Sequence, residues 1–153
     1  MVGAAAERLR STRPSTATAF TLRLRLHYKA VRVGGVSGHG EIVLDELIIQ
    51  YVPEFEGHWA QEDLFREDDG SYTEHGVMGS FLEYYQDHYE EISILELSTL
   101  CIEFEKIVSS DPNDVDLEAN AICTMFLEVL VDTPSGNKIE RYLGKSCKEF
   151  WNH

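Results

Sequence analysis

Apolar residues in this chain recur in two rhythms, and the change between them falls near residue 40. From Glu41 onward the spacing is helical, with apolar side chains three and four apart. Val43, Leu44, Leu47, Ile48 and Tyr51 make one stripe, and Pro53 closes or kinks the run. A short second helix is expected from Pro53, burying Phe55 and Trp59. Met78, Phe81, Leu82, Tyr85 and Tyr89 predict a third helix over roughly 75–90. Gly76 and Gly79 weaken its first turn by about 1 kcal/mol each relative to Ala.

The fourth helix has the clearest start. Ser93 and Glu96 make a capping box, in which each side chain satisfies a free backbone N–H of the other residue. Ile94, Leu97, Cys101, Phe104 and Val108 then run down one stripe, flanked by Leu100 and Ile107. SSDPND at 109–114 stops this helix and starts the next, capped by Asp111 ahead of Pro112 or, slightly later, by Asp114. The fifth helix buries Ile122, Met125, Phe126, Val129 and Leu130. TPSGN at 133–137 reads as a turn. A sixth helix carries Ile139, Tyr142, Leu143, Cys147, Phe150 and Trp151. Six stripes joined by short loops predict a mainly α fold, an antiparallel helical bundle or a short stack of helical hairpins. The absence of a clean internal repeat argues against a solenoid.

Ahead of this body the rhythm differs. In 19–33, Phe20, Leu22, Leu24, Leu26 and Tyr28 alternate with Thr21, Arg23, Arg25, His27 and Lys29, the period of a half-buried strand. A lone strand leaves its backbone groups unpaired. Two outcomes are open: a hairpin with 40–49, or a place outside the fold. GGVSGHG at 34–40 is a breaker, and residues 1–18 offer little to bury. The division expected is a basic tail over 1–40, outside the core, and an acidic helical domain over 41–153, with the native protein beginning near Glu41 to Leu44.

Charge sharpens that division. Residues 1–40 carry seven basic residues and one acid, Glu7, while 41–153 carry six basic residues against 26 acids. An acidic body repels nucleic acid and anionic lipid and attracts a basic partner. No apolar run is long enough to cross a membrane. Arg23 and Arg25 interrupt the one candidate core of a secretory signal; the Arg-rich leader also matches the composition of an organelle transit peptide. Cys101, Cys123 and Cys147 all fall on apolar stripes and form no CxxC, so they read as reduced core thiols of a cytoplasmic protein.

The chain contains no P-loop, GxGxxG, GxSxG or HExxH. His58 and Glu62 share a helix face at i, i+4, but two ligands do not hold a metal. Asp87 and His88 beside Glu90 and Glu91 make a second cluster that an exposed polar face explains. No metal, cofactor or catalytic residue is expected. The positive signal lies between residues 52 and 91, which hold twelve acidic residues and one basic residue, Arg66. Aromatic anchors ringed by charge suit a protein interface. The binding surface expected comprises Trp59, Glu62, Asp63, Glu67, Asp68, Asp69, Tyr72, Glu74, Tyr84 and Asp87. The plainer alternative puts Trp59 and Tyr85 in the core and leaves the carboxylates as a solvated face.

Specific segments add a resemblance. They are LDELIIQYVPEFEGHW with Pro53-Glu54-Phe55, the acidic loop, LSTLCIEFEKI, DVDLEANAICTMFLEVL with Glu118 to Glu128, and RYLGKSCKEFW with Leu143-Gly144 and Ser146. Over about 44–151 they resemble a bacterial family of small acidic helical proteins known as a domain of unknown function. That family resembles immunity proteins of toxin systems in size, acidity and helical make-up, an analogy at the level of fold. The acidic body, the reduced thiols and that analogy together lead to the expectation of a cytoplasmic protein that binds a basic partner, such as a nuclease toxin. A small hydrolase or metal-dependent enzyme at His58/Glu62 or Asp87/His88, or a helical adaptor without a toxin, are the alternatives.

Overall fold

The computed structural model describes residues 43–110 and 116–152. The tail, the alternating segment 19–33 and the candidate caps Asp111 and Asp114 lie outside the described residues. Among the described residues the fold is mainly helical, with no strand, and an isolated antiparallel bridge joins Arg66 to Tyr72. The helices are α1 (Leu44–Tyr51), α2 (Phe55–Ala60), α3 (Glu74–His88) and α4 (Ile94–Ser110). In α5, an α turn (Leu117–Asn120) passes into a π segment (Ala121–Leu127) and a last α turn (Glu128–Leu130). In α6, Pro134–Ile139 continues as a 3-10 turn (Glu140–Tyr142), and α7 spans Lys145–Trp151. Residues 44–51, which fall in the expected hairpin partner 40–49, are helical.

The π segment is the centre of the packing and touches α3, α4 and α7. Its wider turn rotates successive side chains less than an α-helix does. Ala121, Ile122, Cys123, Met125, Phe126 and Leu127 are all buried, a broader face than a 3.6-residue stripe supplies, while Val129 is only half-buried. Phe126 stacks on Phe81 at 5.2 Å between ring centroids and meets Tyr85 and Phe104 edge-on. Tyr85, fully buried, donates its hydroxyl to the Ser135 carbonyl at 2.9 Å and so ties α3 to the start of α6. Lys138 donates to the Tyr89 and Ile92 carbonyls and so satisfies two backbone acceptors of the turn between α3 and α4.

Local signals fix most boundaries. The Ser93–Glu96 box forms as its spacing requires, with Glu96 N–H donating to Ser93 Oγ and Ser93 N–H to Glu96 Oε2. The cap of α5 is Asp116, whose carboxylate accepts from the Glu118 and Ala119 amides. TPSGN is a helix start: Thr133 Oγ1 accepts from Gly136 N–H at 3.0 Å, and Pro134 takes the first position, where its missing N–H costs nothing. Gly76 and Gly79 are small for a packing reason, since a Cβ at either would stand under 3.0 Å from Phe65.

The expected sixth helix is broken at Leu143-Gly144, and Glu105 explains the break. Its carboxylate accepts from Ser146 N–H at 2.8 Å and Cys147 N–H at 3.0 Å, the free amides that open α7. A Cβ on Gly144 would stand 2.3–2.5 Å from that side chain. Burial pushes the Glu105 carboxyl upward, but the amide bonds from Cys147 and Ser146 outweigh it and hold it below the usual carboxylate range. A depressed folded-state pKa gives stabilisation that is complete above the unfolded value of about 4.3 and is lost as pH falls through the folded value. Glu105→Gln should therefore cost about 1–2 kcal/mol at pH 7. The gap from wild type should narrow as pH falls below the usual carboxylate range, which urea unfolding at pH 7 and in acid measures. An equal deficit at both would show that the charge on Glu105 is immaterial.

Candidate functional site

The acidic segment is built outward from one buried carboxylate. Asp45, on the first turn of α1, accepts at Oδ2 from Trp59 Nε1 (3.0 Å) and from the Tyr72 hydroxyl (2.9 Å). Those two bonds hold α2 and the acidic loop against α1. Trp59 and Tyr72 meet edge-on at 5.1 Å, and the Arg66 guanidinium lies 4.3 Å above the Trp59 ring and 5.2 Å from that of Tyr72. Arg66 also donates to the Trp59 and Gly70 carbonyls. Asp69 accepts from the Ser71 amide and hydroxyl, which shapes the loop tip. Burial, then the Asp45 carboxylate, pushes the Tyr72 hydroxyl up, so it stays a donor.

The expected surface separates into three groups. Asp63, Glu67, Asp68, Asp69 and Asp87 are exposed, Tyr72 is 40% exposed, and Glu74 is half-buried on the first turn of α3. Trp59 and Tyr84 are buried, which corrects their assignment as surface anchors: Phe55 packs on both rings and holds them inward. Glu62 also turns in, with its side chain 6% exposed. Its Oε1 accepts from the Leu64 and Phe65 amides, because the chain turns back around the carboxylate as α2 ends.

That inward turn places Glu62 on an open cleft of about 620 Å³ between α2 and α3, lined also by Glu54, His58, Asp63, Glu83 and His88. The His58 ring stacks on Phe55 at 5.9 Å and leans on Tyr84 at 5.5 Å. Its Nε2 is buried, has no hydrogen-bond partner and stands 3.9 Å from Glu62 Oε2. Glu83, on α3, completes a trio of donor atoms all within 4.8 Å of one another. The second cluster does not converge in this way. His88 stacks on Tyr84 at 4.6 Å, and its Nδ1 is 3.1 Å from Glu91 Oε2.

Two further groups depart from ordinary acidity. Glu118 is buried, and desolvation, with the Asp116 carboxyl beside it, raises its pKa well above the usual carboxylate range. His75, bonded to Asn120 Oδ1 at 3.0 Å, is lowered by burial. The cysteines are buried and not joined in disulfides, and burial pushes the Cys101 thiol up to about 12, which suits an inert core thiol better than a nucleophile.

Among the described residues no helix is long and apolar enough to cross a membrane. Residues 46–153 match the model of a family described as "Domain of unknown function (DUF7674)". No curated protein and no solved structure matches the chain.

Proposed function

The chain belongs to the DUF7674 family, and we propose that it is a protein-binding module that docks a basic partner protein on the acidic face formed by residues 52–91. One observation carries this reading. The segment holds twelve acids and a single cation, and that cation, Arg66, sits over the rings of Trp59 and Tyr72 and donates to backbone carbonyls. Asp63, Glu67, Asp68, Asp69 and Asp87 stand exposed, so the face is strongly negative toward solvent. Such a field speeds encounter with a positive surface and rejects polyanions, which argues against nucleic acid or anionic membranes as partners.

The sharper form of the proposal is an immunity-like protein of the bacterial cytoplasm, where its three buried thiols stay reduced. Its carboxylates would cover the active site of a basic toxin and stand in for a polyanionic substrate. A helical adaptor with another basic partner would use the same face; a toxin gene adjacent to this one would decide between them.

The test is a pull-down from native lysate at low and high salt. Wild type should retain a basic protein at low salt and release most of it at high salt. Changing Glu67→Lys, Asp68→Lys and Asp69→Lys together should weaken capture roughly tenfold or more. Retention that ignores both salt and the triple reversal would remove the acidic loop from the interface.

A further inference from the structure

We propose that the cleft between α2 and α3 binds one divalent ion of the zinc class through His58 Nε2, Glu62 Oε2 and a carboxylate oxygen of Glu83. The inference does not depend on the partner proposed above. Its first support is convergence: three ligand atoms from two helices and the turn after α2 lie within 4.8 Å of one another. Around a tetrahedral ion with ligand distances of about 2.0–2.1 Å, donor atoms stand about 3.4 Å apart. His58 Nε2 and Glu62 Oε2, at 3.9 Å, are already near that spacing, and a Glu83 carboxylate oxygen lies within 4.8 Å of both.

The second support is independent of proximity. His58 Nε2 is buried and makes no hydrogen bond, a state that costs about 1–3 kcal/mol unless something satisfies the nitrogen. The ring packs on Phe55 and Tyr84, and although the side chain is 34% exposed, its Nε2 edge is the buried one. Glu62 is similarly prepared. Two backbone amides hold Oε1, which leaves Oε2 directed at the histidine, on a side chain only 6% exposed. A nearly buried carboxylate beside a second carboxylate and an imidazole lone pair is stabilised by a cation shared among them.

The donor set selects the class of ion. Calcium and magnesium take oxygen ligands, whereas one imidazole with two carboxylates suits zinc and its first-row neighbours. Three protein ligands leave a position facing the open cleft, where water or a carboxylate of a ligand completes the shell. Because Glu83 belongs to α3 and the other two to α2 and its following turn, the ion would also clamp those elements together.

The experiment is a calorimetric zinc titration of the full chain after dialysis against a chelator. One equivalent should bind with a micromolar or tighter Kd and raise the melting temperature by several degrees. His58→Gln and Glu83→Gln keep side-chain bulk, and each should weaken binding at least tenfold while far-UV circular dichroism stays that of the wild type. A readout free of variants is the long-range 1H–15N spectrum of the histidine rings, in which one equivalent of zinc should shift His58 Nε2. Binding no tighter than millimolar, or a His58 signal untouched at saturation, would overturn the proposal, as would wild-type affinity in either variant.

Discussion

Phe126→Ala should cost 3–5 kcal/mol, enough to leave much of the chain unfolded at physiological temperature. Phe126 is fully buried in the π segment of α5, and three other rings close around it: Phe81 from α3 in a stacked contact, Tyr85 edge-on from the same helix, and Phe104 edge-on from α4. Truncation removes the transfer free energy of the ring and leaves a void that those neighbours fill only in part. Collapse is difficult because Tyr85 is fixed by its bond to Ser135 and Phe81 is pinned against Phe55. The midpoint of urea unfolding should fall with little change in slope. Ile102→Ala, on the exposed side of α4, should stay within about 0.5 kcal/mol of wild type. A Phe126→Ala cost below about 1.5 kcal/mol would mean that the π segment yields, and that the aromatic cluster is not the keystone its geometry implies.

Helix content and most of the core were legible because burial imposes a period on the sequence. In the stripe of α4, Leu97, Cys101 and Phe104 are buried as their spacing required, whereas Ile94 is 63% exposed and Val108 half-buried, and the Ser93–Glu96 box appears bond for bond. The errors have two causes: a side chain distant in sequence that overrides a local preference, and a local helix-start signal read as a turn. Periodicity carries one helix through 139–151, but Glu105 reaches across from α4 and captures the amides at 146 and 147, so the chain breaks at Gly144. A tract of small and turn-forming residues at 133–137 becomes the opening of a helix, since Thr133 caps it and Pro134 suits its first turn.

The candidate sites divide along the same line. Exposed acids of the loop need only composition to be found, and Asp63, Glu67, Asp68 and Asp69 lie where composition put them. Trp59 and Tyr84 do not, because aromatic residues among charges can face either way and only Phe55 and Asp45 decide it. His58 and Glu62 are legible as an i, i+4 pair, which on its own lacks a third ligand. That ligand, Glu83, lies 21 positions after Glu62, and no local pattern joins the two. A usable signal was available in part: Glu83 stands one residue ahead of Tyr84, on the same helix whose core face was already assigned.

Gly136→Ala should destabilise the chain by at least about 3 kcal/mol, while Gly57→Ala, the same chemical change, should stabilise it by about 0.5–1 kcal/mol. A Cβ on Gly136 would lie 1.8 Å from the Leu130 carbonyl oxygen and 2.8 Å from its carbon. Both are backbone atoms, so no rotamer change relieves the clash. That carbonyl also accepts from Thr133 N–H and Oγ1, and Thr133 Oγ1 in turn accepts from Gly136 N–H, so moving it opens the whole α5–α6 corner. Asp132 already sits there at φ 61°, a conformation that L-residues other than Asn and Asp rarely take, so the corner has little freedom left to absorb a shift. Gly57, within α2, has nothing within 4 Å of its notional Cβ. Alanine there restricts the unfolded chain and favours the helix without a steric cost. Thermal unfolding of the two variants beside wild type reads both signs at once. Equal effects at the two positions would mean that the corner between α5 and α6 is looser than its contacts require, and that helix propensity alone governs both.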